Sequence, residues 1–484
     1  MTRTPSDTSL DPQDWAALRS QGHRMLDDMF DHLETLRERP LWRPPSDMAK
    51  ARLDIPPPSA GTDLAEVHAS FMQDVLPYSS GNSHPGFMGW VQGGGTPVGM
   101  LAEMLAAGLN ANLGGRHHMP VEVERQVAGW MRQVFGFPEG ATGLFVTGTS
   151  MANFMAVLIA RTHALGGEVR ADGVAGQEDR LVAYASRTAH GCVARAFDMA
   201  GLGSDALRLI ETDDEHRIDC AALADAIARD RRAGLTPFMV VGTAGSVDTG
   251  AIDPLTDLAD LAARESLWFH IDGAYGALGM LAPDIAPHLA GIERADSLAF
   301  DFHKWGQVPY DAGFLLVRDE DVHRRTFAHG GAYLRRGARG MAAGDWWPCD
   351  YGPDLSRGFR ALKTWFTLRT YGLDAIGASI SRTCELARSL ARLVDQSSEL
   401  ELLAPVSLNI VCFGLRRADS DALIPGIVAD LHEAGRVAPS TTTIKGRLAI
   451  RAAIVNHRTG AEDIQALVAS LHALIGPAAQ RLAS

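Results

Sequence analysis

The chain has only four lysines among its 45 basic residues, so a reaction that needs an amine nucleophile has few candidates. They are Lys50, Lys304, Lys363 and Lys445. Lys304 differs from the others because it lies in DFHKWG, which directly follows the apolar segment SLAF at the end of a predicted strand. Partial burial there is expected to lower the pKa of its ammonium group, which suits Schiff-base formation. The simpler alternative is a lysine whose aliphatic stem packs beside Trp305.

A second candidate is Asp272, an acid at the end of the apolar segment 267–271, within HIDGAYG. Burying a carboxylate is costly unless a cation faces it. A protonated pyridine nitrogen is such a cation, and an acid that keeps this nitrogen protonated makes the ring an electron sink. Ala274 then offers a small side chain on which a flat ring can lie. The alternative is that Asp272 caps the following helix.

A third candidate is the segment TGTSMANFMAVLIAR at 147–161, which predicts a turn from a strand into a helix. Backbone N–H groups at such a turn, together with the hydroxyls of Thr147, Thr149 and Ser150, favour a phosphate group. A Thr or Ser helix cap has the same pattern, so the segment alone does not decide between them. Asn153, one turn further along, suits either role.

Two more side chains have positions that suit ring binding or proton transfer. His190, in SRTAHGCVARA, follows a predicted strand and can stack on a flat ring. Tyr333 lies within 328–348, a stretch rich in glycine and arginine without apolar periodicity, which is typical of a lid. A phenol on a lid can deliver a proton once the lid closes. A purely structural role is the alternative for both residues.

The elements that must position these residues alternate between helices and short apolar strands. We predict strands at 143–146, 180–185, 238–242, 267–271, 297–300 and 313–317. This pattern indicates an α/β fold with a mostly parallel sheet that is covered on both faces. Residues that follow parallel strands lie at the carboxyl edge of the sheet, where α/β proteins bind their ligands. The candidate residues are therefore expected at that edge.

The chain is expected to form three parts. Residues 1–85 predict a helical segment and a proline-rich linker that packs on the main domain or on a partner subunit. Residues 86–371 predict the large domain. Residues 372–484 predict a small α+β domain with helices at 373–394 and 462–475.

Composition excludes several functional classes. The net charge of −13 argues against a nucleic-acid or anionic-membrane surface. No apolar run is long enough to span a membrane, and the N-terminus shows no signal peptide. Five scattered cysteines without a CxxC pair indicate reduced thiols and a cytoplasmic location. No metal site is predicted, because His84, His117 and His118 lack a ligand spacing of the usual kind.

In the order phosphate loop, His, Asp, Lys and loop Tyr, the chain resembles the pyridoxal-phosphate group II amino-acid decarboxylases. This family includes the aromatic-L-amino-acid, histidine and glutamate decarboxylases. The matching segments are HPGFMGW (84–90), TGTSMANFMAVLIAR (147–161), AHGCVARA (189–196), VGTAGSVDTGAIDP (241–254), HIDGAYG (270–276), ADSLAFDFHKW (295–305), AYLRRG (332–337) and FRALKTWFTLRTYG (359–372). HIDGAYG together with ADS…HKW is the most specific part of the match.

The resemblance implies a fold-type I homodimer whose N-terminal segment wraps over its partner. It implies pyridoxal 5'-phosphate as cofactor and decarboxylation of an L-amino acid to its amine and CO₂, with aromatic substrates expected first. Lys304 would bond to the cofactor, Asp272 would pair with the pyridine nitrogen, and Tyr333 would protonate the substrate Cα. His190 would stack on one face of the ring and Ala274 would pack on the other. The remaining implied cofactor contacts are Thr149, Ser150 and His303 at the phosphate, Ser356 from the partner subunit, and Thr243 near the ring hydroxyl.

Three departures from the family pattern are visible. Gly93 stands where relatives that act on aromatic substrates carry a substrate-contacting threonine. The segment NANLGGRHH at 110–118 is closer to the glutamate-type pattern, and Arg116 could meet a second substrate carboxylate. Decarboxylation of glutamate or aspartate is therefore an alternative. Asp301 replaces an asparagine of some relatives and is interpreted as a tolerated variation.

The reaction itself has competing hypotheses. Oxidative decarboxylation–deamination with O₂ gives an aldehyde, and family members with this activity tend to replace the loop tyrosine by Phe or the stacking histidine by Asn. Tyr333 and His190 are both present, so the resemblance favours simple decarboxylation. A transaminase or lyase on the same fold would release a keto acid without CO₂. A binding protein without cofactor would have no activity.

Overall fold

The computed structural model describes residues 9–175, 180–330 and 335–483. Short apolar segments form its strands. In chain order they are β1 (Phe87–Met88), β2 (Thr142–Val146), β3 (Leu181–Ser186), β4 (Leu207–Ile210), β5 (Thr236–Thr243), β6 (Trp268–Asp272), β7 (Ser297–Asp301), β8 (Gly313–Val317), β9 (Leu400–Leu402), β10 (Ile410–Leu415), β11 (Ala438–Ile444) and β12 (Arg447–Ala453).

A seven-stranded sheet in the order β2-β8-β7-β6-β5-β3-β4 forms the centre of the molecule. The neighbours from β7 to β4 are parallel, whereas β8 is antiparallel to both β2 and β7. The predicted α/β fold with a mostly parallel sheet is therefore confirmed, and the predicted strands lie within two residues of the observed ones. The apolar pattern does not indicate β4, an edge strand in which Leu209 is exposed.

Helices cover both faces of this sheet, since alternate strand residues enter two different cores. Val240 belongs to one core, whereas Met239 and Val241 belong to the other. The helices are α1 (Trp15–Glu34), α2 (Asp47–Leu53), α3 (Leu64–Asp74), α4 (Pro97–Leu109), α5 (Met119–Val134), α6 (Thr149–Leu165), α7 (Val169–Asp172), α8 (Cys192–Met199), α9 (Cys220–Arg232), α10 (Leu255–Glu265), α11 (Glu320–Phe327), α12 (Arg360–Tyr371), α13 (Leu373–Gln396), α14 (Ser420–Glu433) and α15 (Ala461–Ala483).

The C-terminal part contains a second sheet in the order β1-β11-β12-β10-β9. Helices α13, α14 and α15 pack against it through a third apolar core. Strand β1 comes from far upstream in the chain and pairs with β11 in parallel, with Phe87 opposite Ala438. The division of the chain at residues 85 and 371 stays a prediction.

The N-terminal part consists of α1, α2 and α3, and of extended segments between them. Asp14 caps α1 by accepting hydrogen bonds from two backbone N–H groups of the first turn, and Asp63 caps α3 by accepting one. Several large apolar side chains on these helices are exposed, among them Trp15, Val67 and Phe71. No helix in the described ranges is both long and apolar enough to cross a membrane.

Candidate active site

The candidate residues converge on a cavity of about 390 Å³ at the carboxyl edge of the seven-stranded sheet. Strands β5, β6 and β7 are parallel and end at Thr243, Asp272 and Asp301, so their last residues meet at one edge. Helix α6 begins at the same place, directly after β2. The predicted site residues that line the cavity are Thr149, Ser150, His190, Thr243, Asp272, Ala274, His303 and Lys304.

Lys304 is held by a carboxylate at the end of the preceding strand. Its Nζ lies 2.8 Å from Oδ2 of Asp301, whose side chain is 2% exposed. Burial alone would lower the pKa of Lys304, but the ion pair and hydrogen bond with Asp301, helped by Asp272, raise that pKa above its usual value. The expected lowering of the lysine pKa is therefore wrong. The apolar pattern shows that Lys304 follows a strand, but it does not show that Asp301 turns towards it.

Asp272 is buried at the end of β6 and accepts two hydrogen bonds. Its Oδ2 accepts from Nδ2 of Asn153 at 2.9 Å, and its Oδ1 accepts from the backbone N–H of Ala274 at 3.1 Å. Burial raises the pKa of Asp272, while the hydrogen bond from Asn153 and the charge of Lys304 act in the opposite direction. A carboxylate in this environment is stabilised most by a cation placed against it.

A chain of buried polar groups fixes the orientation of Asn153. His270 Nε2 lies 2.9 Å from Asn153 Oδ1, and His270 Nδ1 lies 2.8 Å from Ser297 Oγ. The indole N–H of Trp268 donates to the same Oγ at 2.8 Å. Burial lowers the pKa of His270 to about 3, so the ring is neutral near pH 7 and carries one proton. Because Asn153 donates to Asp272, its Oδ1 must accept, and this proton therefore lies on Nε2.

We expect His270 to make the protein less stable as the pH falls. Its pKa is about 3 in the folded chain against a usual 6.5, so between these values the unfolded chain binds a proton that the folded chain does not. The contribution is complete above pH 6.5 and decreases below it, by up to about 1.4 kcal/mol per pH unit. Urea unfolding at a series of pH values measures this slope.

The matched variant is His270→Gln, which has no titratable group at this position. Between pH 6.5 and about 3, its free energy of unfolding should depend on pH less steeply than that of the wild-type chain, by up to about 1.4 kcal/mol per pH unit. The same slope in both proteins would show that the ring of His270 is not held neutral by the fold.

The start of α6 and the segment after β7 offer hydrogen-bond donors for an anion. The hydroxyl of Thr149 is buried and makes no hydrogen bond within the part of the chain that the structure describes. His303 Nδ1 accepts from the backbone N–H of Ala312 at 3.0 Å, and burial lowers the pKa of His303. A neutral ring bonded in this way carries its proton on Nε2. Together with Ser150, these groups can bind a phosphate.

Other cavity residues are held by neighbouring backbone groups. His190 Nδ1 accepts from the backbone N–H of Cys192 at 3.2 Å, which fixes the orientation of the imidazole ring. The backbone N–H of Thr243 donates to the buried Asp253 at 2.7 Å, and the other carboxylate oxygen of Asp253 accepts from Ile218. These contacts place His190 and Thr243 at defined points of the cavity lining.

Some predicted residues do not line this cavity. Ser356 is exposed and lies outside it. Tyr333 falls within 331–334, outside the described residues. Arg116 is also absent from the lining, since its guanidinium lies over the ring of Trp347, 4.7 Å from the centroid.

Gly93 packs against the segment that carries Lys304. A Cβ at this position would collide with the carbonyl oxygens of His303 and Lys304, and the N–H of Gly93 donates to His303 O at 3.1 Å. The glycine is therefore required by the close approach of two backbones, and a threonine does not fit. The neighbouring Gln92 lines the cavity instead.

One wall of the cavity is formed by Trp90, Gln92 and Val247, together with Val91. The buried Arg451 of β12 joins the two segments of this wall. Its guanidinium donates to Gly89 O at 2.8 Å and to Val247 O at 2.9 Å. The wall is thereby connected to the C-terminal sheet.

Comparisons with known proteins identify the family of the chain. The family model of the pyridoxal-dependent decarboxylase conserved domain matches residues 45–416. The chain belongs to this decarboxylase family. Aromatic-L-amino-acid decarboxylase of Bacillus atrophaeus is 32% identical to this decarboxylase, over 94% of this chain and 95% of the relative. Phenylacetaldehyde synthase of Arabidopsis thaliana is 27% identical over 92% and 93% of the two chains.

A solved structure confirms the fold of the decarboxylase. The crystal structure of Oryza sativa TDC with PLP and tryptamine superposes with a TM-score of 0.87 at 24% identity, and covers 96% of this chain and 100% of that chain. The predicted fold-type I architecture is confirmed by this likeness.

The decarboxylase uses pyridoxal 5'-phosphate, and the cavity fits this group. The buried carboxylate of Asp272 provides the counter-charge for a pyridinium nitrogen, and Lys304 provides an amine. The hydroxyl of Thr149, which has no partner among the described residues and lies at a helix N-terminus, suits the phosphate. Within the described ranges, no group of three or more His, Cys, Asp or Glu side chains could hold a metal ion.

Sequence reasoning missed one contributor to the site of the decarboxylase and did not assign the contacts of two others. His270 lies two residues before Asp272, so the strand period places both side chains on one face of β6. That signal was available within HIDGAYG. The sequence left two roles open for Asn153, and the structure places its amide on Asp272. The position of Asp301 beside Lys304 depends on how the segment after β7 turns, and no local pattern reveals it.

Proposed function

We propose that the decarboxylase converts an aromatic L-amino acid to the corresponding amine and CO₂. The observation that carries this proposal is the character of the cavity lining. Trp90, Tyr275 and Tyr310 contribute aromatic surface, and Val91 and Val247 contribute aliphatic surface. An aromatic side chain buries its apolar area against such a lining and gains favourable ring–ring contacts.

An acidic substrate fits this lining less well. Among the described residues that line the cavity, Lys304 is the one lysine or arginine, and Asp272 and Asp301 add negative charge. A second substrate carboxylate would therefore be buried without a partner, which is costly. Arg116, the expected partner of a second substrate carboxylate, lies over the ring of Trp347 and does not line the cavity.

The chain's own residues take the following proposed roles. When bound, pyridoxal phosphate supplies a protonated ring that withdraws electrons from the substrate Cα as CO₂ leaves. Lys304 would provide the amine that holds the cofactor, and the substrate amine would take its place there. Asp272 would hold the proton on the ring nitrogen, and the hydrogen bond from Asn153 keeps its carboxylate in place.

The other roles concern binding and proton delivery. His190 and Ala274 would contact the two faces of the ring, and Thr243 would lie near the ring hydroxyl. Thr149, Ser150 and His303 would bind the phosphate. Tyr333 delivers the proton to the substrate Cα after CO₂ leaves.

The test is a substrate screen with the purified holoenzyme. The twenty amino acids and 3,4-dihydroxyphenylalanine are supplied separately, and CO₂ and amine are measured for each. The expected result is release of both products in equal amounts from one or more aromatic substrates. Turnover of glutamate or aspartate alone would contradict the proposal, as would release of a keto acid without CO₂.

The second candidate function is oxidative formation of an aldehyde, because the synthase from Arabidopsis thaliana is among the relatives. The presence of Tyr333 and His190 supports amine formation instead. We expect the Tyr333→Phe variant to shift the product from amine towards aldehyde, because Phe cannot donate the proton that the substrate Cα needs after CO₂ leaves, and O₂ can then react instead. Amine, aldehyde, ammonia and H₂O₂ are quantified in parallel.

The controls for this substitution use the wild-type enzyme and the oxygen supply. Aldehyde formation by the variant should disappear under nitrogen, whereas amine formation by the wild-type enzyme should not change. Unchanged amine output from the variant would contradict the role of Tyr333. Aldehyde and H₂O₂ as the main products of the wild-type enzyme would favour the second candidate.

We also infer that the decarboxylase is a homodimer. The exposed apolar side chains Trp15, Val67 and Phe71 of the N-terminal helices would be buried by a partner. Ser356, exposed and outside this chain's cavity, would then contact the phosphate in the partner's site. Light scattering should give the mass of two 51.9 kDa chains, and the mass of one chain would contradict the inference.

The cytoplasmic location stays a prediction.

A further inference from the structure

Asp301 joins two parts of the active site. Its Oδ1 accepts from the backbone N–H of Thr149 at 2.8 Å, and its Oδ2 lies 2.8 Å from Nζ of Lys304. The side chain is almost fully buried, so both contacts are shielded from water. One carboxylate therefore bonds to the first residue of α6, where the predicted phosphate site lies, and also pairs with the amine that the reaction needs. An interpretation as a tolerated variation does not account for these contacts.

The charge of Asp301 decides which form of Lys304 is stable in this position. A carboxylate oxygen can only accept, so it favours the ammonium form of the lysine. An asparagine with its Oδ1 on Thr149 would turn its NH₂ group towards Nζ. That group donates, so it would favour the neutral amine with its lone pair. The two side chains have almost the same shape but opposite preferences for the proton on Lys304.

The other groups that face Lys304 do not replace Asp301. Asp272 of β6 acts in the same direction as Asp301 but more weakly, and its carboxylate is already bonded to Asn153 and Ala274. Cys192 of α8 also lines the cavity, and burial raises the pKa of its thiol to about 11, so it is neutral near pH 7. Burial lowers the pKa of His303, so it adds no cation.

We propose that Asp301 is a positioning residue that holds Lys304 as an ammonium ion whenever the lysine is not bonded to the cofactor. Asp301 keeps Nζ at a fixed place beside the start of α6. It also prevents the displaced lysine from competing with the substrate amine, because an ammonium ion is not a nucleophile. This inference rests on the proposed role of Lys304, but it does not depend on the identity of the substrate.

The experiment measures the protonation of Lys304 directly in the full chain freed of cofactor. The protein is labelled with trace acetic anhydride at a series of pH values, and the acetylated lysines are quantified by peptide mass spectrometry. Lys445, which is exposed, serves as the reference within each digest. We expect the pH midpoint for labelling Lys304 to fall by at least one unit in Asp301→Asn. This corresponds to at least about tenfold more labelling at pH values below both midpoints.

A second readout is the rate at which the cofactor-free chain binds added pyridoxal phosphate, followed by its visible absorbance. The neutral amine is the reactive form, so Asp301→Asn should load the cofactor faster than the wild-type chain near pH 7. Slower or equal loading would contradict the proposal. A merely structural effect of the substitution would not accelerate this step.

The control variant is Asp296→Asn. Asp296 is a partly buried carboxylate that accepts from the backbone N–H of Phe269, at the opposite end of the same strands. Its replacement should leave the labelling profile of Lys304 unchanged. An unchanged Lys304 profile in Asp301→Asn would overturn the proposal. If that variant does not fold, the wild-type chain still decides. The ratio of Lys304 labelling to Lys445 labelling should increase as the pH is raised beyond 9, and a constant ratio would contradict the proposal.

Discussion

Replacing Lys304 by alanine is expected to abolish amine production. The reaction needs an amine in the cavity, and none of the other three lysines lines it. Lys363 donates to Tyr310 O and pairs with Glu103, while Lys50 and Lys445 are exposed and pair with surface carboxylates. We expect the turnover number to fall by more than about 1,000-fold, because the amine that holds the cofactor is lost. CO₂ release under saturating substrate measures the effect.

The control for this prediction is Lys445→Ala, which removes an exposed lysine far from the cavity. Its turnover number should match that of the wild-type enzyme. Borohydride reduction of the wild-type holoenzyme followed by peptide mapping should place the cofactor on Lys304. A label on Lys363, or activity of Lys304→Ala within tenfold of wild type, would assign the reaction to a different amine.

Replacing Asp272 by asparagine is expected to have the second largest effect. The carboxylate is 4% exposed, and it is the group that would neutralise a protonated ring nitrogen. Removing one partner of a buried ion pair costs about 3–5 kcal/mol. If this cost is felt mainly in the transition state, the turnover number falls by between about 100-fold and several thousand-fold. Steady-state kinetics at saturating cofactor separates this loss from weaker cofactor binding.

The matched control is again Asp296→Asn, because it makes the same chemical change at a carboxylate outside the cavity. It should retain the wild-type turnover number. Equal losses in the two variants would attribute the effect to folding. A turnover number of Asp272→Asn within tenfold of wild type, with full cofactor occupancy, would remove Asp272 from its proposed role.

The large sheet was predictable from the sequence because its central strands are buried on both faces. Such strands appear as continuous apolar runs between helices, and this pattern is local. Strand β11 differs, since its segment APSTTTI is mostly polar and its pairing with β12 is not visible in its own composition. Strand β1 has two residues and pairs with a strand more than 300 residues away, so no local signal exists for it.

The site was predictable where position along a strand determines position in space. Asp272 and Lys304 follow apolar strands, and parallel strands that end at one edge bring such residues together. The resemblance to a family supplied the roles of Thr243, His303 and Ser356. The direction of the pKa shift of Lys304 was not predictable, because it depends on the orientation of a second carboxylate within a turn.

The attachment of β1 to the C-terminal sheet has a mechanical consequence. Trp90 and Gln92 follow the last residue of β1 by two and four residues, and Arg451 bonds to the backbone of both segments of this wall. A tilt of the C-terminal sheet would therefore move these side chains and change the shape of the cavity that receives the substrate. Mutations near α14 or α15, distant from the chemistry, should consequently alter substrate capture more than the rate of bond cleavage.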